Sequence, residues 1–350
     1  MKKKVLIVDD SAIIRHILSK CINDDPHLEV IGTAPNPYEA TEIMKRIVPD
    51  VIVLDIEMPR MDGITFLKII MEQNPIPIVI CSSLTTEGSA YVIDAMRYGA
   101  LEVVRKPNIS DDRAMMEFKI QIVDIVKAAA QVKNVSKYVR DTSKKITDRP
   151  IRQLNKPIFV KDKIIVVGAS TGGTEAIRVF LAGLPSNCPG IVIVQHMPEN
   201  FTKSFADHLN KAYDLNISEA KDNDLIEPGK VLIAPGHSHV LVNRNGALHY
   251  VEVKSGPLVS RHRPSVDVLF KSAARNFKDK AVGVIMTGMG EDGAKGMLEM
   301  KQAGAKTIAQ NEDSCVVYGM PKEAVLLGGV SVTIPLMDIA GEVIKSCLIA

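Results

Sequence analysis

The sequence predicts two α/β domains in series, each an open parallel sheet flanked by helices. Three observations carry this reading. The chain has 350 residues, more than one ordinary domain of roughly 100–200 residues. Short apolar runs alternate with amphipathic segments over residues 4–107, and again from Ile164 onward. That alternation is the pattern of a parallel sheet covered on both faces. Between the two halves, Lys133 to Lys163 is rich in Lys, Arg, Asp, Thr and Pro and lacks periodicity, as a basic linker does. The expected layout is therefore a first domain over 1–130, a linker over 131–162, and a second domain over 163–350.

In the first half the strand candidates are Val5–Val8, Leu28–Ile31, Val51–Leu54, Ile76–Cys81 and Leu101–Val104. Ile13, Ile14, Ile17, Leu18, Cys21 and Ile22 recur at helical spacing and mark the first helix. Residues 111–130 read as a closing helix. In the second half the strand candidates are Ile164–Val167, Ile191–Val194, Val231–Ala234, Val282–Met286 and Thr307–Ala309. Helices are expected over Glu175–Leu181, Phe201–Lys211, Val266–Ala274 and Ala294–Gln302. His239–Val242 and Leu248–Val253, split by Asn245-Gly246, read as a hairpin insert.

Composition narrows the function classes. Hydrophobic residues are 46%, charged residues 24%, and the net charge is +2, so nothing pulls the chain strongly toward nucleic acid or a membrane surface. With no Trp and 4% aromatics, a base-stacking surface is not expected. Lys2, Lys3 and Lys4 precede an apolar stretch, but Asp9-Asp10 ends it after Val8, too soon for an export signal. No apolar run approaches the ~18 residues of a membrane span. Cys21, Cys81, Cys188, Cys315 and Cys347 are scattered without metal-ligand spacing, which points to reduced thiols in the cytoplasm.

Asp9 and Asp10 end the first strand, Asp55 the third, Ser82 and Ser83 the fourth, and Lys106 follows the fifth. In an open parallel sheet these strand ends line one crevice. Singly, each residue reads as a cap or a surface charge. As a set, three carboxylates repel one another unless a cation joins them, and Mg²⁺ suits few carboxylates plus waters. Asp55 then has the chemistry to attack a phosphoryl donor, with Lys106 and a serine hydroxyl to hold the phosphoryl oxygens.

Gly168-Ala-Ser-Thr-Gly172 lies between a strand and a helix, the setting of a nucleophile elbow. A phosphate-binding turn or a plain helix cap has the same spelling. The Thr171 N–H is placed to face a developing oxyanion. His196 follows the strand Ile191–Val194, and Asp292 follows Val282–Met286, so both fall at the sheet edge of Ser170. A base and its orienter are what a nucleophilic serine needs. The order Ser, His, Asp differs from that of the α/β-hydrolases. His237, His239, His249 and His262 compete for the base role. Gly288-Met-Gly-Glu-Asp-Gly293, with Glu312 and Asp313 beyond the next strand, also fits a dinucleotide fingerprint. Glu291 and Asp292 inside that loop oppose a pyrophosphate.

Residues 4–107 resemble the receiver domain of response regulators through Val5-Leu-Ile-Val-Asp-Asp10, Val53-Leu-Asp-Ile-Glu-Met-Pro59 with Met61-Asp-Gly63, and Lys106-Pro107. The resemblance implies a flavodoxin-like sheet of order 2-1-3-4-5 and Asp55 as phosphoacceptor. It implies Mg²⁺ on Asp9, Asp10, Asp55 and the Glu57 carbonyl, with Ser82 and Lys106 as switch and phosphate residues. Val103 stands where many receivers carry an aromatic, so coupling is expected through Ser82 and its loop. Residues 164–348 resemble the chemotaxis protein-glutamate methylesterases, the CheB family. The matching segments are Gly168-Ala-Ser-Thr-Gly-Gly-Thr174, Gln195-His-Met-Pro198, Ala234-Pro-Gly236, Arg263-Pro-Ser-Val-Asp-Val-Leu-Phe270, Thr287-Gly-Met-Gly290 with Asp292-Gly293, and Gly319-Met-Pro321.

This second resemblance implies a doubly wound, mostly parallel hydrolytic domain with Ser170 as nucleophile, His196 as base and Asp292 as orienter. Thr171 and Met289 would line the oxyanion site. It implies cofactor-free hydrolysis of glutamyl methyl esters on methyl-accepting chemotaxis receptors, with deamidation of receptor glutamines. The expected phosphodonor is a chemotaxis histidine kinase, and an unphosphorylated receiver is expected to block the catalytic edge. Neither nucleic-acid binding nor membrane insertion is expected. Asp222-Asn223-Asp224 departs from the family, which usually has a glycine turn there. The readings left as alternatives are a receiver-controlled DNA-binding regulator and a dinucleotide-dependent enzyme.

Overall fold

A computed structural model describes residues 1–83, 89–107, 109–132, 135 and 158–349. Most of the expected linker, and the loop after Ser83, therefore lie outside the described residues. The chain forms two compact units, residues 1–145 and 146–350.

In the first unit five strands, β1 (Lys3–Val8), β2 (Leu28–Ala34), β3 (Val51–Leu54), β4 (Ile78–Ser82) and β5 (Glu102–Arg105), pair in the order β2-β1-β3-β4-β5. All pairs are parallel, as the resemblance implied. The helices between them are α1 (Ala12–Asn23), α2 (Pro37–Met44), α3 (Gly63–Gln73), α4 (Ser89–Arg97) and α5 (Asp112–Ala129). Val5–Val8 of β1 and the residues of β3 and β4 are buried on both faces, which is why they read as unbroken apolar runs rather than alternating ones. Ile14, Leu18, Cys21 and Ile22 of α1 are buried as expected, but Ile13 is 62% exposed. It sits one position off the stripe that faces the sheet.

The second unit is larger. Its sheet holds β6 (Ile164–Ala169), β7 (Gly190–Gln195), β8 (Asn216–Glu219), β9 (Lys230–Ile233), β12 (Ala281–Ile285), β13 (Lys306–Gln310) and β14 (Val332–Ile334). The order is β14-β13-β12-β6-β7-β9-β8, and every pairing is parallel. The expected hairpin is β10 (His239–Asn245) against β11 (Leu248–Lys254), a separate two-stranded sheet. The helices are α6 (Gly173–Ala182), α7 (Phe201–Ala212), α8 (Val266–Asn276), α9 (Ala294–Gln302), α10 (Met320–Leu326) and α11 (Leu336–Cys347). The core under α8 joins Val266, Leu269, Phe270 and Ala273 to Val240 and Val242 of the hairpin and to Ile285 of β12. At about 1.5–3 kcal/mol per fully buried large apolar side chain, this layer fixes α8 against the sheet. That matters because the start of α8 enters the site.

Sequence reading missed both sheet edges and the last two helices. β8 and β14 are short and only half-buried, so neither shows an apolar run. Asn223 has φ 66°, so the Asp222-Asn223-Asp224 departure keeps the turn: asparagine tolerates the left-handed conformation that glycine usually supplies. The end of the expected linker is paired. Phe159 bridges Leu348, the Val160 N–H donates to the Cys347 carbonyl at 2.8 Å, and the Ile349 N–H donates to the Ile158 carbonyl at 3.2 Å.

Candidate active site

The acidic pocket of the first unit forms where β1 and β3 end, at the point where strand order reverses, the usual ligand crevice of such sheets. Asp9 and Asp55 are buried, Asp10 is exposed, and their ligand atoms lie within 4.8 Å of one another. Lys106 Nζ sits 2.7 Å from Asp9 Oδ2 and 2.7 Å from Asp55 Oδ2. The Lys106 N–H donates to the Ser82 carbonyl at 2.9 Å, which holds the lysine beside β4. Burial raises the Asp55 carboxyl to about 6 despite Lys106. Burial alone would lower Lys106, but its bonds to Asp55 and Asp9 raise it instead. Ser82 is buried, and Ser83 is exposed with its hydroxyl 3.5 Å from Glu57 Oε2. The Glu57 N–H faces Asp55 Oδ1 at 3.4 Å.

Gly63 is fixed by close approach, since a Cβ there would stand 2.0 Å from the Asp55 carbonyl oxygen. Gly63→Ala should therefore push back the loop that carries Asp55. A drop in stability of the first unit of about 1–3 kcal/mol, read by denaturant unfolding, is the expected result.

The second site is built on the three central strands of the larger sheet. Ser170 follows β6 directly and His196 follows β7. β6 and β7 pair through Ala169 and Gln195, so the next two residues emerge side by side. The His196 N–H donates to the Ala169 carbonyl at 3.1 Å. Buried Gln195 donates from Nε2 to the carbonyls of Ser170 at 3.0 Å and His196 at 3.1 Å, tying the two turns together. Asp292 lies in the loop after β12, on the other side of β6, so this site also straddles a strand-order reversal.

The elbow is pinned from below. The Ser170 N–H donates to the Thr287 carbonyl at 3.0 Å, and Thr287 Oγ1 donates to the Thr171 carbonyl at 2.9 Å. Gly172 has φ 77° and caps α6, which puts Ser170 at the positive end of that helix. Gly288 packs so closely that a Cβ there would lie 2.7 Å from Ser170 Cβ. Thr171 follows Ser170 in the elbow, and Met289 follows Gly288 in the loop after β12.

His196 Nε2 and Asp292 Oδ2 are 2.9 Å apart. A carboxylate partner requires the proton on Nε2. His196 Nδ1 is buried and meets no hydrogen-bond partner among the described residues, Ser170 Oγ included. Asp292 is 1% exposed and accepts three further bonds. These come from Ser265 Oγ at 2.7 Å, the Val266 N–H at 2.7 Å and the Asp267 N–H at 3.0 Å. Its carboxylate thus sits on the N-terminus of α8, where backbone donors and the helix dipole favour an anion. Burial alone would raise Asp292, but the bonds from His196 and Ser265 outweigh it and hold the carboxyl below its ordinary value. Burial raises neighbouring Asp267, whose Oδ1 accepts the Gly296 N–H at 2.7 Å.

The competing histidines are placed elsewhere or differently. His237 is exposed beside Glu199 at 3.7 Å. The His239 ring is bonded to the Pro257 carbonyl and the Ser265 N–H, and His249 stands edge-on to Phe277. His262 stacks on the His196 ring, with centroids 3.7 Å apart and 10° between planes. Sequence reading missed the bed beneath Asp292. The available signal was Ser265, a helix-cap residue just ahead of Val266.

An acidic phosphoacceptor-type pocket and an alcohol, an imidazole and a buried carboxylate at one sheet edge have the chemistry of a switch-controlled serine hydrolase. Comparison with known proteins narrows this class. The CheB methylesterase profile matches residues 165–343, and the response regulator receiver domain profile matches residues 5–117. The chain belongs to the CheB methylesterase family. A protein-glutamate methylesterase/protein-glutamine glutaminase of Geobacter metallireducens is 54% identical over 99% of this chain and 100% of that protein. A relative of the same description from Oleidesulfovibrio alaskensis is 52% identical over 98% of each chain. The crystal structure of the Thermotoga maritima CheB methylesterase catalytic domain covers 53% of this chain and 99% of that one, with 38% identity and a TM-score of 0.52.

Proposed function

We propose that this chain hydrolyses glutamate methyl esters on methyl-accepting chemotaxis receptors, releasing methanol, and deamidates receptor glutamines. Phosphorylation of Asp55 by a chemotaxis histidine kinase controls it, in the cytoplasm. One observation carries the hydrolytic reading: His196 lies beside Ser170 and is held by a carboxylate with four donors around it. Among the described residues no helix is long and apolar enough to cross a membrane.

The mechanism depends on which imidazole nitrogen is engaged. Asp292 takes Nε2, so Nδ1 is the atom that receives the Ser170 proton. Rotation of the Ser170 side chain in the substrate complex closes that bond, as resting sites commonly tighten on binding. Ser170 Oγ attacks the glutamyl side-chain carbonyl. The Thr171 and Met289 N–H groups stabilise the developing oxyanion. Nδ1 returns the proton to the departing methoxide, or during deamidation to the carboxamide nitrogen, which leaves as ammonia. Water, deprotonated by the same nitrogen, then cleaves the acyl-enzyme, and Nδ1 hands that proton to the departing Ser170 Oγ. Asp292 keeps the proton on Nε2 throughout and stabilises the imidazolium.

In the receiver, Asp9, Asp10, Asp55 and the Glu57 carbonyl would hold Mg²⁺. The clustered hard oxygens fit that ion, which when bound supplies charge neutralisation for phosphoryl transfer. Lys106, already on Asp55, is placed to pair with a phosphoryl oxygen. Asp55→Asn should leave unstimulated methanol release in place and abolish its rise on adding a small phosphodonor. A variant that still responds to the donor would place the acceptor elsewhere.

A further inference from the structure

His262 reaches the hydrolytic site by a route its backbone resists. Val259 and His262 exchange both backbone hydrogen bonds, at 3.0 and 2.9 Å, and close a two-residue turn. Its central residues Ser260 and Arg261 have φ of 51° and 66°. Glycine and asparagine ordinarily supply that geometry, and other residues in it cost of order 1–3 kcal/mol each. Such strain persists where the surroundings over-determine it. What this turn delivers is an imidazole lying flat on His196 at 3.7 Å. Burial, with His196 as the next cause, pushes His262 down to about 3, so the ring carries no charge near neutral pH.

We propose that His262 is a positioning residue whose ring is a flat wall against His196, keeping Nε2 on Asp292 and Nδ1 turned toward Ser170. A histidine ring is only weakly constrained about its second torsion, and Asp292 holds His196 at a single ring atom. Face contact along the whole ring removes the remaining swing. An uncharged aromatic face also accepts the imidazolium formed during the reaction, where a second cation would repel it. His262 acts through His196, by the contact of its face rather than by its charge.

The inference rests on the Ser170–His196–Asp292 reading, and the test separates the two. Methanol release by the phosphodonor-activated full chain is followed over a range of methylated receptor concentrations. His262→Ala should lower kcat about 10- to 100-fold with KM within about two-fold, the signature of a misaligned base. His262→Phe keeps the flat face, removes both nitrogens, and should recover most of kcat. Equal loss in both variants would mean that the imidazole nitrogens are used, and an unaltered His262→Ala would mean that the wall is idle; either overturns the role. Should the Ala variant not fold, the Phe variant decides alone: near-normal kcat supports positioning, and a large loss refutes it. Ser170→Ala run alongside shows which idea fails, since activity there sinks the triad and leaves His262 without a partner to position.

Discussion

Ser170→Ala is expected to lower methanol release by ~10⁴–10⁶-fold, the range in which loss of a serine nucleophile falls when the rest of the machinery stays in place. Little else should change. Ser170 is held through its backbone, by the Thr287 carbonyl and Gln195 Nε2, and alanine keeps both bonds. Receptor binding and thermal stability should therefore match the parent protein. Near-normal turnover, measured as methanol released from methylated receptor, would falsify Ser170 as nucleophile.

Asp292→Asn carries the second large effect, on catalysis and on stability together. An amide at 292 turns an NH₂ toward donors: either His196 Nε2 and the Val266 N–H, or Ser265 Oγ and the Asp267 N–H. If His196 responds by moving its proton to Nδ1, that nitrogen can no longer accept one from Ser170. A wrong tautomer of this kind costs about 10⁴-fold in turnover. The folded state also loses charge-assisted bonds of about 1.5–3 kcal/mol each, partly offset by relief of burying a charge.

The pH dependence has a definite sign. A carboxyl held below its ordinary value of 3.8 contributes stability that is full above that value and is lost as pH falls through its lower folded value. The advantage of the parent over Asp292→Asn should thus be flat near neutrality and shrink only below about pH 4. Denaturant unfolding at a series of pH values reads this directly. An advantage that began to shrink at pH 6 would mean Asp292 is not ionised as described.

Legibility in the sequence tracked the physics of each element. Strands buried on both faces, such as Ile164–Val167 and Ile191–Val194, announced themselves as apolar runs. So Ser170, His196 and Asp292 could be placed on one edge, each from its position just past the C-terminal end of a strand. The edge strands β8 and β14 announced nothing, because half-exposed strands carry polar residues. What strand ends cannot express is the direction of a side chain. His262 was visible as one histidine among several, and only three dimensions laid it flat on His196. The choice of Nε2 over Nδ1 for Asp292 was likewise invisible. The ring atom facing the carboxylate depends on where α8 begins, and α8 is fixed by its packing against the hairpin and sheet. Asp55 was legible for a simpler reason: acids gathered at the ends of neighbouring apolar strands are costly unless something cationic meets them, and Lys106 does.

The pairing of Ile158–Val160 with Cys347–Ile349 means that the described residues of the second unit start and finish at one place. A fold whose two ends touch is insulated from whatever is spliced before it. It can acquire, exchange or shed an upstream module without rethreading a single strand, and its ends could be joined and reopened at another surface loop. Inheritance of the controlling module and inheritance of the chemistry are then separable events.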